Sequence, residues 1–140
     1  MSIKRLLIVE DIPRTIIGTM MELEASGYSY LHVMNVGDAK AALAREHFDA
    51  LILDWSIPMS AGAGPAEEAA GTLLDYICTS ASNTLNIGLP FIILTAHPNV
   101  VNESKLRLMT GYIGIVYKLF VDDIKMRLDN YFANPQPKQE

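Results

Sequence analysis

The sequence has little cysteine and no long hydrophobic run, and each shortage excludes a class of protein. Cys78 is the only cysteine among the 140 residues, so no internal disulfide can form and a reducing compartment is expected. No apolar run approaches the ~20 residues that a membrane-spanning helix needs, and the N-terminus lacks the apolar core of a signal peptide. We therefore predict a soluble cytoplasmic protein.

Positive charge is also scarce. The chain has 11 Lys and Arg residues against 16 Asp and Glu residues, and its formal net charge is -5. This balance gives no electrostatic case for direct binding of DNA or RNA.

A length of 140 residues fits one domain with a sizeable core. We expect that domain at residues 1–133, followed by a disordered tail at 134–140 that is rich in proline and polar residues.

The chain alternates apolar strands with amphipathic helices. The predicted strands lie at residues 3–9, 28–34, 50–53, 91–94 and 112–117. One predicted helix spans residues 12–26, and the next runs from a cap at Asp38 through Leu43. Two more span residues 67–79 and 99–109. The last helix carries Val121, Ile124, Leu128 and Tyr131 on one face. Such alternation implies right-handed crossovers. We therefore predict a doubly wound α/β fold in three layers, a five-stranded parallel sheet of the flavodoxin-like (βα)5 type.

Four of the five predicted strands end in residues that can carry chemistry. Glu10 and Asp11 follow the first strand, Asp54 the third, Thr95 the fourth and Lys118 the fifth. Ligands of open α/β sheets bind at the carboxyl ends of the strands, so we expect these side chains to converge. Asp54 alone is more simply explained as a turn residue, and it is the other four residues that favour a functional interpretation.

The three carboxylates would repel one another, which suggests that a cation keeps them ionised. Oxygen ligands in an open site favour Mg²⁺, and no cluster of Cys and His offers a zinc site. With the hydroxyl of Thr95 and the ammonium of Lys118 nearby, such a site can stabilise the oxygens of a phosphoryl group in transfer. Asp54 would be the nucleophile that forms an aspartyl-phosphate.

These residues resemble the pattern of response-regulator receiver domains, the CheY-like domains of two-component signal transduction. The resemblance covers residues 3–132 and rests on five motifs in the order and near the spacing of that family. The motifs are Glu10-Asp11, Asp54-Trp-Ser-Ile-Pro58, Thr95-Ala96, Gly111-Tyr-Ile-Gly114 and Lys118.

The resemblance implies that Asp54 accepts a phosphoryl group from a histidine kinase or a histidine phosphotransfer protein. The implied Mg²⁺ ligands are the side chains of Glu10, Asp11 and Asp54 and the backbone carbonyl of Ser56, while Thr95 and Lys118 contact the phosphoryl group. It further implies a stand-alone receiver that catalyses only its own phosphoryl transfer and dephosphorylation. Such a receiver would signal by binding a downstream protein that the sequence does not identify.

Three features depart from the family pattern. Residues 60–70 look like an insertion beside the site, and their Ala, Gly and Pro content predicts a loop that is mobile or gates access. Ile115 stands three residues before the lysine, where the family often has an aromatic residue, and Tyr117 is expected on the strand face opposite Lys118. Leu119 replaces the proline that follows the lysine. Because a cis bond to a non-proline residue costs about 2.5 to 4 kcal/mol, we expect a trans bond there.

Two other functions stay open. A flavodoxin-like enzyme would have a hydroxyl-rich phosphate loop after the first strand, and an aspartyl-phosphate phosphatase would have a second Asp two residues after Asp54; the sequence has neither. A pseudo-receiver that acts only as a scaffold has no physical need for three crowded carboxylates.

We also expect Trp55 to be a half-buried aromatic, Cys78 to be a buried structural thiol, and the three histidines to be too scattered for a metal site.

Overall fold

The computed structural model describes residues 3–66, 68–79, 85–118 and 123–134. In chain order the strands are β1 (Arg5–Val9), β2 (Ser29–Val33), β3 (Ala50–Asp54), β4 (Ile57–Pro58), β5 (Pro65–Ala66), β6 (Phe91–Thr95) and β7 (Tyr112–Tyr117). The helices are α1 (Ile17–Ala25), α2 (Val36–Arg45), α3 (Ala69–Thr79), α4 (Glu103–Arg107) and α5 (Asp123–Ala133), with short 3-10 turns at Pro13–Thr15 and Pro98–Val100.

Five of the strands form one parallel sheet in the order β2-β1-β3-β6-β7. Successive residues of a strand point to opposite faces, so Leu7 packs into a cluster with α2, α3 and α4 whereas Leu6 packs into a second cluster with α1 and α5. β3 is buried along its whole length, as its continuous apolar run predicts. The three-layered, doubly wound fold predicted from the sequence is therefore confirmed.

α1 begins at Ile17, five residues after its predicted start, because Pro13–Thr15 form a separate 3-10 turn. Two further helices differ from their predicted limits because polar side chains start them elsewhere. Asn35, not Asp38, caps α2: its Oδ1 accepts a hydrogen bond from the Asp38 N–H at 2.8 Å. The predicted cap at Asp38 was therefore wrong, and Asp38 lies in the first turn of the helix. Asn102 Oδ1 accepts a hydrogen bond from the Lys105 N–H at 3.2 Å and caps α4, which has 5 residues where 11 were predicted.

Residues 57–66 form a small antiparallel hairpin, where the sequence predicted a loop at residues 60–70. Ile57 pairs with Ala66 and Pro58 pairs with Pro65. Gly62, in the connecting turn, has a φ of 83°, a conformation that glycine adopts without strain. The Gly37 N–H donates to the Met59 carbonyl at 2.9 Å, which ties the hairpin to the start of α2. Gating of the site by residues 60–70 stays a prediction.

Some predictions fall outside the described residues. They are the Lys118–Leu119 bond, the position of Val121 and all of the predicted tail beyond Asn134. Cys78 is half-buried, less than predicted, and burial together with the charge of Asp75 raises the pKa of its thiol. Within the described ranges, no helix has the length and apolar character needed to cross a membrane.

Candidate phosphoacceptor site

The register of the sheet brings the chemistry-bearing strand ends side by side. Val9 pairs with Leu53, so the residues that come next, Glu10 and Asp54, lie beside each other at the ends of neighbouring strands. Asp54 pairs with Leu94, which places Thr95 one residue beyond it on β6. Because all these strands are parallel, residues that are far apart in sequence reach one edge of the sheet.

Asp54 is the centre of this arrangement and is only 1% exposed. Lys118 Nζ donates a hydrogen bond to its Oδ2 at 2.9 Å. The Ser56 N–H donates to its Oδ1 at 3.2 Å. A donor therefore faces each carboxylate oxygen, which holds the side chain in one orientation at the strand end.

Glu10 is fully buried beside Asp54. Its Oε1 accepts a hydrogen bond from the Ile12 N–H at 3.1 Å, and its Oε2 lies 3.0 Å from Lys118 Nζ. Burial, reinforced by hydrogen bonding to Asp54 and by the charge of Asp54, raises the pKa of Glu10 to about 7. Ionisation of Glu10 beside Asp54 is therefore unfavourable.

Lys118 forms ion pairs with both carboxylates. Its partial burial acts to lower the pKa of the ammonium, but the hydrogen bonds and charges of Asp54 and Glu10 outweigh burial and raise that pKa above its usual value. Lys118 is consequently held in its charged form beside Asp54.

The donor atoms fit a divalent cation. Glu10, Asp11 and Asp54 each offer a carboxylate oxygen, and these oxygens lie within 4.8 Å of one another. The buried Oε2 of Glu10 has no aligned hydrogen-bond donor, although the Lys118 ammonium lies near it. Lys118 pairs with two of these three carboxylates, so negative charge is in excess when all are ionised. This oxygen-only set suits Mg²⁺. Ser56 is exposed two residues after Asp54, and ligation by its carbonyl stays a prediction.

Thr95 supplies a nearly buried hydroxyl on the strand next to Asp54. Its Oγ1 accepts a hydrogen bond from the His97 N–H at 3.0 Å. The accepted bond fixes the oxygen and leaves the hydroxyl hydrogen to be donated elsewhere. Contact between Thr95 and a phosphoryl oxygen on Asp54 stays a prediction.

Sequence reasoning missed the part that His32 plays. Its Nε2 lies 2.7 Å from the backbone carbonyl of Glu10, and the Glu10 N–H donates to the Val33 carbonyl at 3.1 Å. β2 thus fixes the backbone that presents Glu10 to the site. Sequence patterns predict the first two strands, but not the register that puts His32 opposite Ile8.

Gly111 is required where the chain enters β7. Its φ is 91°, and a Cβ there would lie 2.8 Å from the Leu89 carbonyl oxygen. The Phe91 N–H donates to the Gly111 carbonyl at 2.8 Å, which sets β7 against β6. This glycine therefore helps to fix the strand that carries Lys118.

Comparison with known proteins found similarity only at the level of structure. No model of a protein family and no curated protein matches the sequence. A receiver domain of a Francisella response regulator superposes with a TM-score of 0.70 at 19% identity, over 95% of this chain and 99% of that chain. The signal receiver domain of a putative Luxo repressor from Vibrio parahaemolyticus gives 0.74 at 24% identity, over 94% and 92%.

A third structure is the receiver domain of a sensor histidine kinase from Pseudomonas aeruginosa, which has a magnesium ion coordinated in its active site cleft. It superposes with a TM-score of 0.67 at 20% identity, over 95% of this chain and 100% of that chain. All three identities are below 25%, so the similarity is evidence for the fold. This chain has the fold of the response-regulator receiver domains, as its motifs had indicated.

Proposed function

We propose that this protein is a response-regulator receiver that accepts a phosphoryl group on Asp54 from a histidine kinase or a histidine phosphotransfer protein. It is proposed to act in the cytoplasm, to catalyse only its own phosphoryl transfer and dephosphorylation, and to signal by binding another protein. The observation that supports this most is the Asp54 carboxylate, which is buried 2.9 Å from the Lys118 ammonium and beside two further carboxylates.

In the proposed transfer, an Oδ atom of Asp54 attacks the phosphorus of a phosphohistidine. The new O–P bond forms as the P–N bond breaks, and the electron pair leaves with the donor imidazole. Lys118 balances the negative charge that gathers on the phosphoryl oxygens, and Thr95 donates its hydroxyl hydrogen to one of them. Burial of Asp54 keeps bulk water away from the acyl phosphate.

Glu10, Asp11, Asp54 and the carbonyl of Ser56 are the proposed ligands of Mg²⁺. Bound there, the ion would supply positive charge for the phosphoryl oxygens. The ammonium of Lys118 can offset one carboxylate at most, which leaves the remaining charge of the cluster to the metal.

Phosphorylation by a small phosphodonor tests the proposal. With Mg²⁺, the wild-type protein should gain the mass of one phosphoryl group in intact-protein mass spectrometry, and Asp54→Asn should gain none. Asp75→Asn makes the same chemical change at an exposed position of α3 and should behave as wild type. Chelation of Mg²⁺ should abolish the gain in every variant.

The same experiment separates the receiver from a pseudo-receiver scaffold. A scaffold would stay unmodified in all conditions while it kept its fold. Equal mass gain in the wild type and in Asp54→Asn would place the phosphoryl group elsewhere and contradict the proposal.

A further inference from the structure

A groove of about 420 Å³ runs between α3 and α4, next to the candidate phosphoacceptor site. Its floor is apolar: Leu74 and Leu106 are buried, and Trp55 is half-buried against the same hydrophobic cluster. Trp55 directly follows Asp54, and its backbone N–H donates to the Leu94 carbonyl at 2.8 Å. We call this feature the α3–α4 groove.

The two lips of the groove are exposed and carry opposite charges. Glu68 directly precedes α3 and Asp75 lies on it, seven residues further along the chain, which is roughly two helical turns or 10 Å. Lys105 stands on the α4 lip. Among the described residues, neither Glu68 nor Asp75 has an ion-pair partner. Within the described structure, the α3 lip therefore presents two carboxylates without ion pairs beside an apolar floor.

Gly71 leaves a gap in the α3 wall between these two charges. A Cβ built on it would meet no atom within 4 Å, so no contact within the described structure requires a glycine. Alanine is the better helix former. The gap widens the groove at the point where an incoming side chain would pass the α3 backbone.

We propose that the α3–α4 groove binds an amphipathic helix of a partner protein. The apolar face of that helix packs on Trp55, Leu74 and Leu106, and two Lys or Arg residues about two turns apart face Glu68 and Asp75. Exposed lips leave the groove open to solvent on its outer side, which suits an elongated helix better than a small ligand that a pocket would enclose. This interaction depends on the groove's own residues and does not require Asp54 to be phosphorylated.

A displayed library of helical peptides tests the proposed occupant. Peptides of about 14 residues, roughly four turns, are selected on the full chain with the positions of one face randomised. Selected peptides should share apolar residues three or four apart and two basic residues seven apart. The double variant Glu68→Lys/Asp75→Lys should instead select acidic residues at those two positions.

Two substitutions at Gly71 test where the peptides bind. Gly71→Met fills the gap and should weaken binding of a selected peptide by roughly tenfold, the loss expected when one anchor side chain is excluded. Gly71→Ala is the matched control, because it improves the helix while adding only a Cβ that meets nothing. Thermal unfolding should show that both variants fold, and Trp55 emission should report binding.

Three results would overturn the proposal. The first is selection without a basic preference, and the second is equal binding by the Gly71→Met and Gly71→Ala variants. The third is saturation of the groove by phenethylamine with no helix selected, which would assign the groove to a small amine. Because phosphorylation is not needed in these assays, failure here leaves the proposed function of Asp54 unaffected.

Discussion

Lys118 Nζ donates a hydrogen bond to Asp54 Oδ2 at 2.9 Å, across 64 residues of sequence. The same ammonium lies 3.0 Å from Glu10 Oε2, so one cation joins the ends of three strands. This contact gives the Asp54 carboxylate its charge partner, and it makes Lys118 the first residue to test.

Replacing Lys118 with Met should slow phosphorylation of Asp54 by about 10²-fold, the usual effect of removing one charge-stabilising donor from a transfer site. The rate is measured by intact mass spectrometry over time with Mg²⁺ and a small phosphodonor. Lys105→Met removes an exposed lysine from α4 and should leave the rate unchanged. A wild-type rate in Lys118→Met would show that the ammonium has no part in transfer.

Trp55 should report events at the site because it is the only tryptophan and adjoins Asp54. Its indole is half-buried against the core, so a change in the β3 end alters its surroundings. We expect its emission to change on titration with Mg²⁺ and again with beryllofluoride, a phosphoryl analogue. In Asp54→Asn the second change should be absent. An unchanged wild-type spectrum, with binding shown independently by calorimetry, would separate the indole from the site.

Asn86→Ala should be strongly destabilising. The Asn86 side chain is 3% exposed, and it bonds to the carbonyls of Leu43 and Glu46 and to the N–H of Phe48, each at 2.8 Å. Removing it leaves three backbone groups without this partner, and we expect a loss of about 3 kcal/mol in the free energy of unfolding in urea.

The matched control is Asn99→Ala at an exposed position, which should change the free energy of unfolding by less than about 0.5 kcal/mol. A similarly small loss for Asn86→Ala would mean that water replaces the amide at little cost.

Tyr28→Phe should raise the pKa of Asp129. That pKa lies below its usual value because Lys125 donates to one carboxylate oxygen and the Tyr28 hydroxyl to the other, both at 2.6 Å. A lowered carboxyl pKa contributes stability above the unfolded-state pKa, and this is lost as the pH falls through the folded-state value.

NMR titration of the Asp129 carboxyl should therefore show a higher midpoint in Tyr28→Phe, and less stability should be lost on acidification. Tyr131→Phe serves as the control, since in the described structure the Asp129 carboxylate bonds to Tyr28 and Lys125 and not to the Tyr131 hydroxyl. Identical midpoints in Tyr28→Phe and wild type would show that Lys125 alone lowers the pKa.

The fold and the convergence of Glu10, Asp54 and Lys118 were predictable because they depend on short-range patterns. Continuous apolar runs mark β3 and β6, and Asp54 and Thr95 come at the ends of these runs. Parallel pairing then brings these ends together whatever their separation in sequence. The sequence therefore contained the site without any knowledge of individual distances.

What the sequence missed depends on local backbone conformation and on contacts that the residue types alone do not specify. Asn35 and Asp38 are both good capping residues, and only the extended backbone at Asn35 decides between them. Asn86 reads as a loop residue because the carbonyls it binds lie about 40 residues away. The pairing of Pro58 with Pro65 is likewise concealed by the Ala and Gly residues between them.

The central claim is that Asp54 itself carries the phosphoryl group, and chemical mapping tests it most directly. The phosphorylated protein is reduced with borohydride, which converts an acyl phosphate to an alcohol, and its peptides are sequenced by mass spectrometry. We predict reduction at Asp54 alone, with none at Glu10 or Asp11. Reduction at either of those residues, or an intact Asp54 in protein that has gained a phosphoryl group, would contradict the account.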